Sequence, residues 1–153
     1  MQKGSGLITL GSATSGTAVM VNGDTIFTVA GGPIAILFLQ SVCITVNDTT
    51  ASTLQYRSVP TVGTAATISG ATSSLAAAGT GAGATVTLNA TALTTAPDIV
   101  ASTAGGVALG ANVANNIIVQ AGTIKIVIAV GSTTGTWKHY ISYVPLAPGV
   151  TVS

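Results

Sequence analysis

Apolar residues in this chain recur mostly at every second position, and Gly, Asn, Asp and Pro punctuate the runs they form. Period two puts alternate side chains on opposite faces of an extended strand, so the chain is predicted to be all-β, with helix a minor ingredient. Thr17 to Val21, Asn22-Gly23-Asp24 and Thr25 to Ala30 predict a hairpin, since Asn-Gly supplies the positive φ angles of a type I′ turn. Gly31-Gly32-Pro33 breaks the run. Ile34 to Val46 then predicts a long strand with Ile34, Ile36, Phe38, Val42, Ile44 and Val46 on one face and Ala35, Leu37, Leu39 and Cys43 on the other. Both faces are apolar over its first half, which predicts a central strand covered on both sides by a second layer or another subunit.

After an Asn47-Asp48-Thr49-Thr50 turn, Ala51 to Arg57 predicts a returning strand ended by Val59-Pro60. Thr61 to Ala84 is a low-complexity tract of Thr, Ala, Ser and Gly, expected to be mostly loop, with a short helix over Ala71 to Ala78 stopped by Gly79. Thr85 to Asn89 predicts a strand. Leu93 to Asn115 is expected to be irregular, with one helical turn opened by Pro97 near Asp98. Asn116 to Gln120 precedes Ala121-Gly122, and Thr123 to Val130 follows as a strand with Ile124, Ile126, Ile128 and Val130 opposite Lys125. A Gly131 to Gly135 hairpin loop then leads into Thr136 to Val144, with Trp137, His139, Ile141 and Tyr143 on one face and Lys138, Tyr140 and Ser142 on the other. Seven or eight such strands predict an antiparallel β-sandwich or jelly roll with long small-residue loops. The divisions expected are an extended N-terminal arm over 1–16, a β-sandwich domain over 17–146 and a C-terminal tail over 147–153. No fixed-period repeat marks a solenoid.

Composition narrows the function. Only 5% of the 153 residues are charged, none is Glu, and the net charge is +1. An ordinary domain has about 25% charged residues. Acid-base, metal and phosphate chemistry all need clusters of those residues, so an enzyme is not expected. The weak field gives no attraction to nucleic acid or an anionic membrane. The run Ile34 to Leu39 is far too short for a spanning helix, which needs about 20 residues. Met1 to Gly6 is followed by no apolar signal region, so synthesis in a cytoplasm is expected. A neutral exterior with mean hydropathy +0.72 favours association between copies.

No motif carries a reaction. Gly11-Ser12-Ala13-Thr14-Ser15-Gly16-Thr17 has phosphate-loop glycine spacing without the lysine, and Gly79 to Gly83 enters a strand where a nucleotide site needs a helix. His139, the single histidine, is expected to be packed or hydrogen-bonded, and Cys43 to be a buried thiol. Asp24, Asp48 and Asp98 sit at turns, too far apart in sequence for a calcium loop; a metal site on them would need three copies of one Asp meeting on a symmetry axis. Asn47-Asp48-Thr49 and Asn89-Ala90-Thr91 match the glycosylation pattern but are discounted without a secretion signal. Tyr56, Arg57 and Tyr140 are candidates for a protein contact, Tyr140 equally for the core, while Trp137 is expected in the core.

Three stretches carry a resemblance: Asp24 to Ile34 (DTIFTVAGGPI), Gly122-Thr123-Ile124-Lys125, and Thr134-Gly135-Thr136 through Tyr143-Val144-Pro145-Leu146 to Pro148-Gly149-Val150. The chain resembles small structural proteins of tailed bacteriophages, in particular the head decoration or cement proteins. The resemblance implies a β-sandwich or jelly-roll body, commonly trimeric, that binds the major capsid protein on the capsid exterior of the virion. It implies no cofactor, small-molecule substrate, nucleic acid or membrane, and no catalytic residues. The extended, small-residue ends, Met1 to Leu10 and Val144 to Ser153, are expected to reach neighbouring subunits. That adds Leu7, Ile8, Leu10 and Val150 to the interface candidates. A tail or head-fibre subunit is the alternative, followed by a glycan-binding adhesive sandwich.

Overall fold

A computed structural model describes residues 10–76, 81–89, 93–100 and 117–153. Within them the protein is all-β, with twelve strands and no helix: β1 (Gly11–Thr14), β2 (Ala18–Val21), β3 (Thr25–Ala30), β4 (Ile34–Cys43), β5 (Leu54–Pro60), β6 (Ala66–Thr67), β7 (Thr85–Thr87), β8 (Asp98–Val100), β9 (Ile117–Val119), β10 (Gly122–Ile128), β11 (Ser132–Pro145) and β12 (Thr151–Val152). They form two antiparallel sheets. One runs β1-β11-β4-β7-β8, with β2 also on β11 and β9 also on β4; the other runs β12-β3-β10-β5-β6. A shared core holds them together, built from Ile34, Leu39, Trp137 and Ile141 of the first sheet and Phe27, Leu54, Tyr56, Ile124 and Ile126 of the second. Most of these are β-branched, aromatic or Leu side chains from alternate positions of a strand, the spacing that gives a sheet one apolar face.

Both predicted hairpins are corners between the sheets. β2 pairs with β11 in one sheet, while β3 pairs with β10 and β12 in the other. The turn between them explains the parting. Gly23 alone has positive φ (91°), and Asn22 does not, so the turn lacks the twist of type I′ that keeps two strands paired. Asp24 N–H donates to the Val21 carbonyl at 3.0 Å, and the Asp24 carboxylate accepts the Val21 N–H at 2.9 Å. Likewise β10 and β11 lie in different sheets, and the expected 131–135 loop belongs largely to β11, where it pairs irregularly with β2.

β4 is central, as its two apolar faces predict, but its faces change over midway. Ser142 pairs with Phe38 and Tyr143 with Ile36, leaving Leu37 as an extra residue. Such a bulge flips the alternation. Ile34 and Ile36 point into the core before it, Leu39, Ser41 and Cys43 after it, so Phe38 and Val42 do not share a face with Ile34. Leu37, Phe38, Gln40 and Val42 are half-buried.

The Thr/Ser/Ala tract differs from a plain loop. Residues 71–76 are not helical, because their backbone donors are taken elsewhere: Thr72 N–H goes to the Leu54 carbonyl and Leu75 N–H to that of Ser52. In return Thr72 Oγ1 accepts the Leu54 N–H and Ser69 Oγ the Tyr56 N–H, each at 2.9 Å. Hydroxyls thus stand in for ladder carbonyls along β5, and Ile68 and Leu75 are buried beneath them. The tract covers a strand edge that would otherwise be open. Near Asp98 the expected helical turn is strand β8, paired with β7. A part of each expected end is also strand. Gly11 to Thr14 of the arm form β1 on β11, and Thr151 and Val152 of the tail form β12 on β3.

Candidate functional site

The interface candidates separate by location. Leu10 is exposed at 62%, and Arg57 is exposed on the outer face of β5. Tyr140 is half-buried on the outer face of β11, with Lys138 Nζ 5.5 Å from its ring centroid. Val150 is half-buried and packs against the core. Leu7 and Ile8 lie outside the described residues. Tyr56 leaves the set of surface candidates. It is fully buried, because alternation along β5 turns it inward between outward-facing Gln55 and Arg57.

Tyr56 belongs to a buried polar chain that links the sheets. Ser41 on β4 and His139 on β11 are direct ladder partners, and Ser41 Oγ lies 2.7 Å from His139 Nδ1. The same oxygen lies 2.7 Å from the Tyr56 hydroxyl, which donates to the Val86 carbonyl at 3.3 Å. One direction satisfies every group: His139 Nδ1–H donates to Ser41, Ser41 to Tyr56, and Tyr56 to Val86. That places a proton on Nδ1. Burial drives the His139 pKa down to about 4, partly offset by the negative charge of Asp24, so the ring is neutral near pH 7. Burial likewise pushes the Tyr56 hydroxyl up, against the opposing effect of its Ser41 hydrogen bond.

His139 and Asp24 both line a cleft of about 210 Å³, together with Ser15, Met20 and Trp137. Ser15, His139 and Asp24 therefore gather at the cleft, while Ser41 meets His139 from within the core, a contact the sequence did not foretell. The order of contacts is not that of a nucleophilic triad, in which the base holds the serine on Nε2 and its orienting carboxylate on Nδ1. Here Ser41 occupies Nδ1 and is wholly enclosed. In this geometry the chain fixes the sheets to each other.

A second polar fastening centres on Asn47, 3% exposed. Its Oδ1 accepts Gly135 N–H at 2.9 Å and Trp137 Nε1–H at 3.3 Å, and its Nδ2 donates to the Leu75 carbonyl at 2.8 Å. An amide committed in this way is closed to glycosylation in the folded chain. Gly135 is required beside it, since a Cβ there would run into the Thr45 carbonyl. Cys43 is buried as expected, and burial raises its thiol pKa, against a smaller lowering by a backbone hydrogen bond at Asn47.

Among the described residues no group of three His, Cys, Asp or Glu side chains could hold a metal, and no helix is long and apolar enough to cross a membrane. A second groove, of about 420 Å³, lies on the outer face of the five-stranded sheet and includes Arg57 and Lys125. Sequence reading set Lys125 opposite the apolar face of its strand but could not bring it to Arg57, because the β5–β10 pairing joins segments far apart in the chain. Comparison with known protein families, curated proteins and solved structures finds no match to this chain.

Proposed function

We propose that this chain is a structural protein of a tailed-phage particle: a head decoration or cement protein with a jelly-roll body that binds the major capsid protein, as a homo-oligomer of the trimeric kind. The observation that carries the reading is the strand order. Taking β1 and β2 as one first strand, the four strands β1/β2, β11, β4 and β7 lie beside β3, β10, β5 and β6 in the other sheet. Apart from β5 to β6 and β7 through β9, successive strands cross from sheet to sheet, and the late strands β10 and β11 insert between early ones. This order supports reading the two sheets as a jelly roll, the wrapping of two Greek keys found among viral capsid proteins.

Chemistry supports the same reading. A neutral exterior rich in Ala, Gly, Ser and Thr loses little side-chain entropy on docking, and a lattice multiplies weak contacts. Exposed Val19, Val21, Ile44, Val46 and Val130 are apolar side chains a partner could cover. The test is sedimentation of the purified chain alone and with assembled capsids, followed by electron microscopy of particles. Oligomers that decorate the shell are expected, with occupancy reduced by deleting Met1 to Leu10. A monomer without affinity for capsids would sink the reading, and density on the tail would move the protein to that station.

A further inference from the structure

Arg57 and Lys125 are direct Cα partners in the β5–β10 ladder. Alternation turns both outward: Tyr56 on β5 and Ile124 and Ile126 on β10 are buried, Arg57 is exposed and Lys125 half-buried. The chain has only four Lys and Arg residues in all, and two of them face each other across one rung. Like charges in that position destabilise a sheet. Their other ladder neighbours, Thr67 and Thr25, bring no compensating charge. Among the described residues no carboxylate lines the groove that holds the pair, whose other walls are Asn22, Gly23, Val59, Ala65, Ile126 and Val127. Asp24 is next to the groove in sequence, but its carboxylate is turned back onto the Val21 amide and it lines the other cleft. Lys138 differs, since the Tyr140 ring lies within cation–π reach.

We propose that the Arg57–Lys125 groove is a docking site for an acidic segment of a partner protein, with a partner carboxylate seated between the two cations. The guanidinium offers a two-pronged donor face to a carboxylate and the ammonium a second charge, so one anion relieves the repulsion across the rung. The groove's Val59 and Val127 suit the aliphatic stem of a glutamate. The partner is another protein rather than a second copy: this chain has no Glu and only three Asp, and of these the Asp24 and Asp48 carboxylates accept hydrogen bonds from the amides of their own turns. Two cations are too few for a nucleic-acid surface, where affinity comes from neutralising many phosphates. The proposal rests on the docking role above only for who the partner is; the site stands on the ladder and the groove.

The test is titration of the full-length protein with hexaglutamate at low salt, followed by amide NMR shifts and by fluorescence anisotropy of a labelled peptide. Hexaglutamine and hexathymidylate are the comparisons. Expected are shifts confined to the neighbourhood of Asn22, Arg57, Lys125 and Val127, about tenfold weaker binding to R57Q/K125Q, and loss of binding near 1 M salt, where the screening length falls to about 3 Å. The double variant should melt no lower than the parent. Unchanged affinity in that variant, shifts elsewhere, equal binding of hexathymidylate, or a lower melting temperature would overturn the proposal. No capsid is present in this titration, so a positive result with no capsid affinity rejects the decoration reading alone.

Discussion

Ser41 and His139 face each other across the β4–β11 ladder, and the 2.7 Å contact between Ser41 Oγ and His139 Nδ1 continues through the Tyr56 hydroxyl into the other sheet. A polar chain in a two-sheet core stabilises only while every member is paired, because in this low-dielectric setting an unpaired group costs the full desolvation of its polar atom. Protonation of His139 would place its proton on Nε2, outside this chain, so it is burial that holds the ring neutral.

Stability should fall as the pH drops from 6.5 towards 4. In the unfolded chain the imidazole takes up a proton near its ordinary value of 6.5, whereas in the folded chain it resists until about 4. Between these values the unfolded state binds the extra proton, so the stabilising contribution is complete above 6.5, shrinks through the window and levels off below 4. The loss is on the order of 3 kcal/mol. Urea unfolding midpoints across this range check it, and His139→Asn should remove this component of the slope.

Asn47→Ala should be among the most damaging single changes. It strands the Gly135 N–H and the Trp137 indole N–H in a buried setting and removes the hydrogen bond from Asn47 to the Leu75 carbonyl. A loss of about 3 to 5 kcal/mol is expected, measured by urea denaturation, with the Trp137 fluorescence reporting the same transition.

Gly135→Ala and Gly23→Ala should separate two reasons for glycine. At Gly135 an added methyl meets the Thr45 carbonyl and the Asn47 side chain, so backbone must shift and the cost exceeds about 2 kcal/mol. At Gly23 nothing lies within 4 Å, and only the φ of 91° opposes a side chain, for about 1 kcal/mol. Thermal melts of the two variants side by side should rank them in that order.

Thr85→Val should stabilise. Thr85 Oγ1 is buried without a hydrogen-bond partner, and replacing it by a methyl of similar shape removes an unmet polar group. A gain of about 1 kcal/mol in urea unfolding is expected; a loss would mean that the hydroxyl is satisfied in solution.

Cys43 should resist a thiol reagent such as Ellman's at pH 8 in the native state and react fully in denaturant. Burial both shields its sulfur and raises its pKa, which keeps it from the reactive thiolate form.

Local chemistry made much of this protein legible in the chain itself. Alternation marked the strands from Thr25 to Ala30, Ile34 to Val46 and Thr123 to Val130, the last two overrunning the ends at Cys43 and Ile128, and it placed Trp137, His139 and Ile141 together on an inward face. Those are properties of neighbouring residues, and period two reports them directly. Partner choice is different, because it depends on residues far apart in sequence. Whether β2 and β3 paired or parted turned on the φ of Asn22; whether Phe38 faced the core turned on one extra residue at Leu37, forced by the register against Tyr143. The Ser/Thr tract looked like loop because a hydroxyl that replaces a ladder carbonyl leaves no periodic trace. The scarcity of charge was plain from composition, but only the β5–β10 ladder brought Arg57 and Lys125 face to face, and only the joining of the two sheets enclosed Tyr56 with Ser41 and His139. Strand identity follows from side-chain alternation along the backbone, whereas burial, pKa and charge pairing are set by what the tertiary structure packs against each strand.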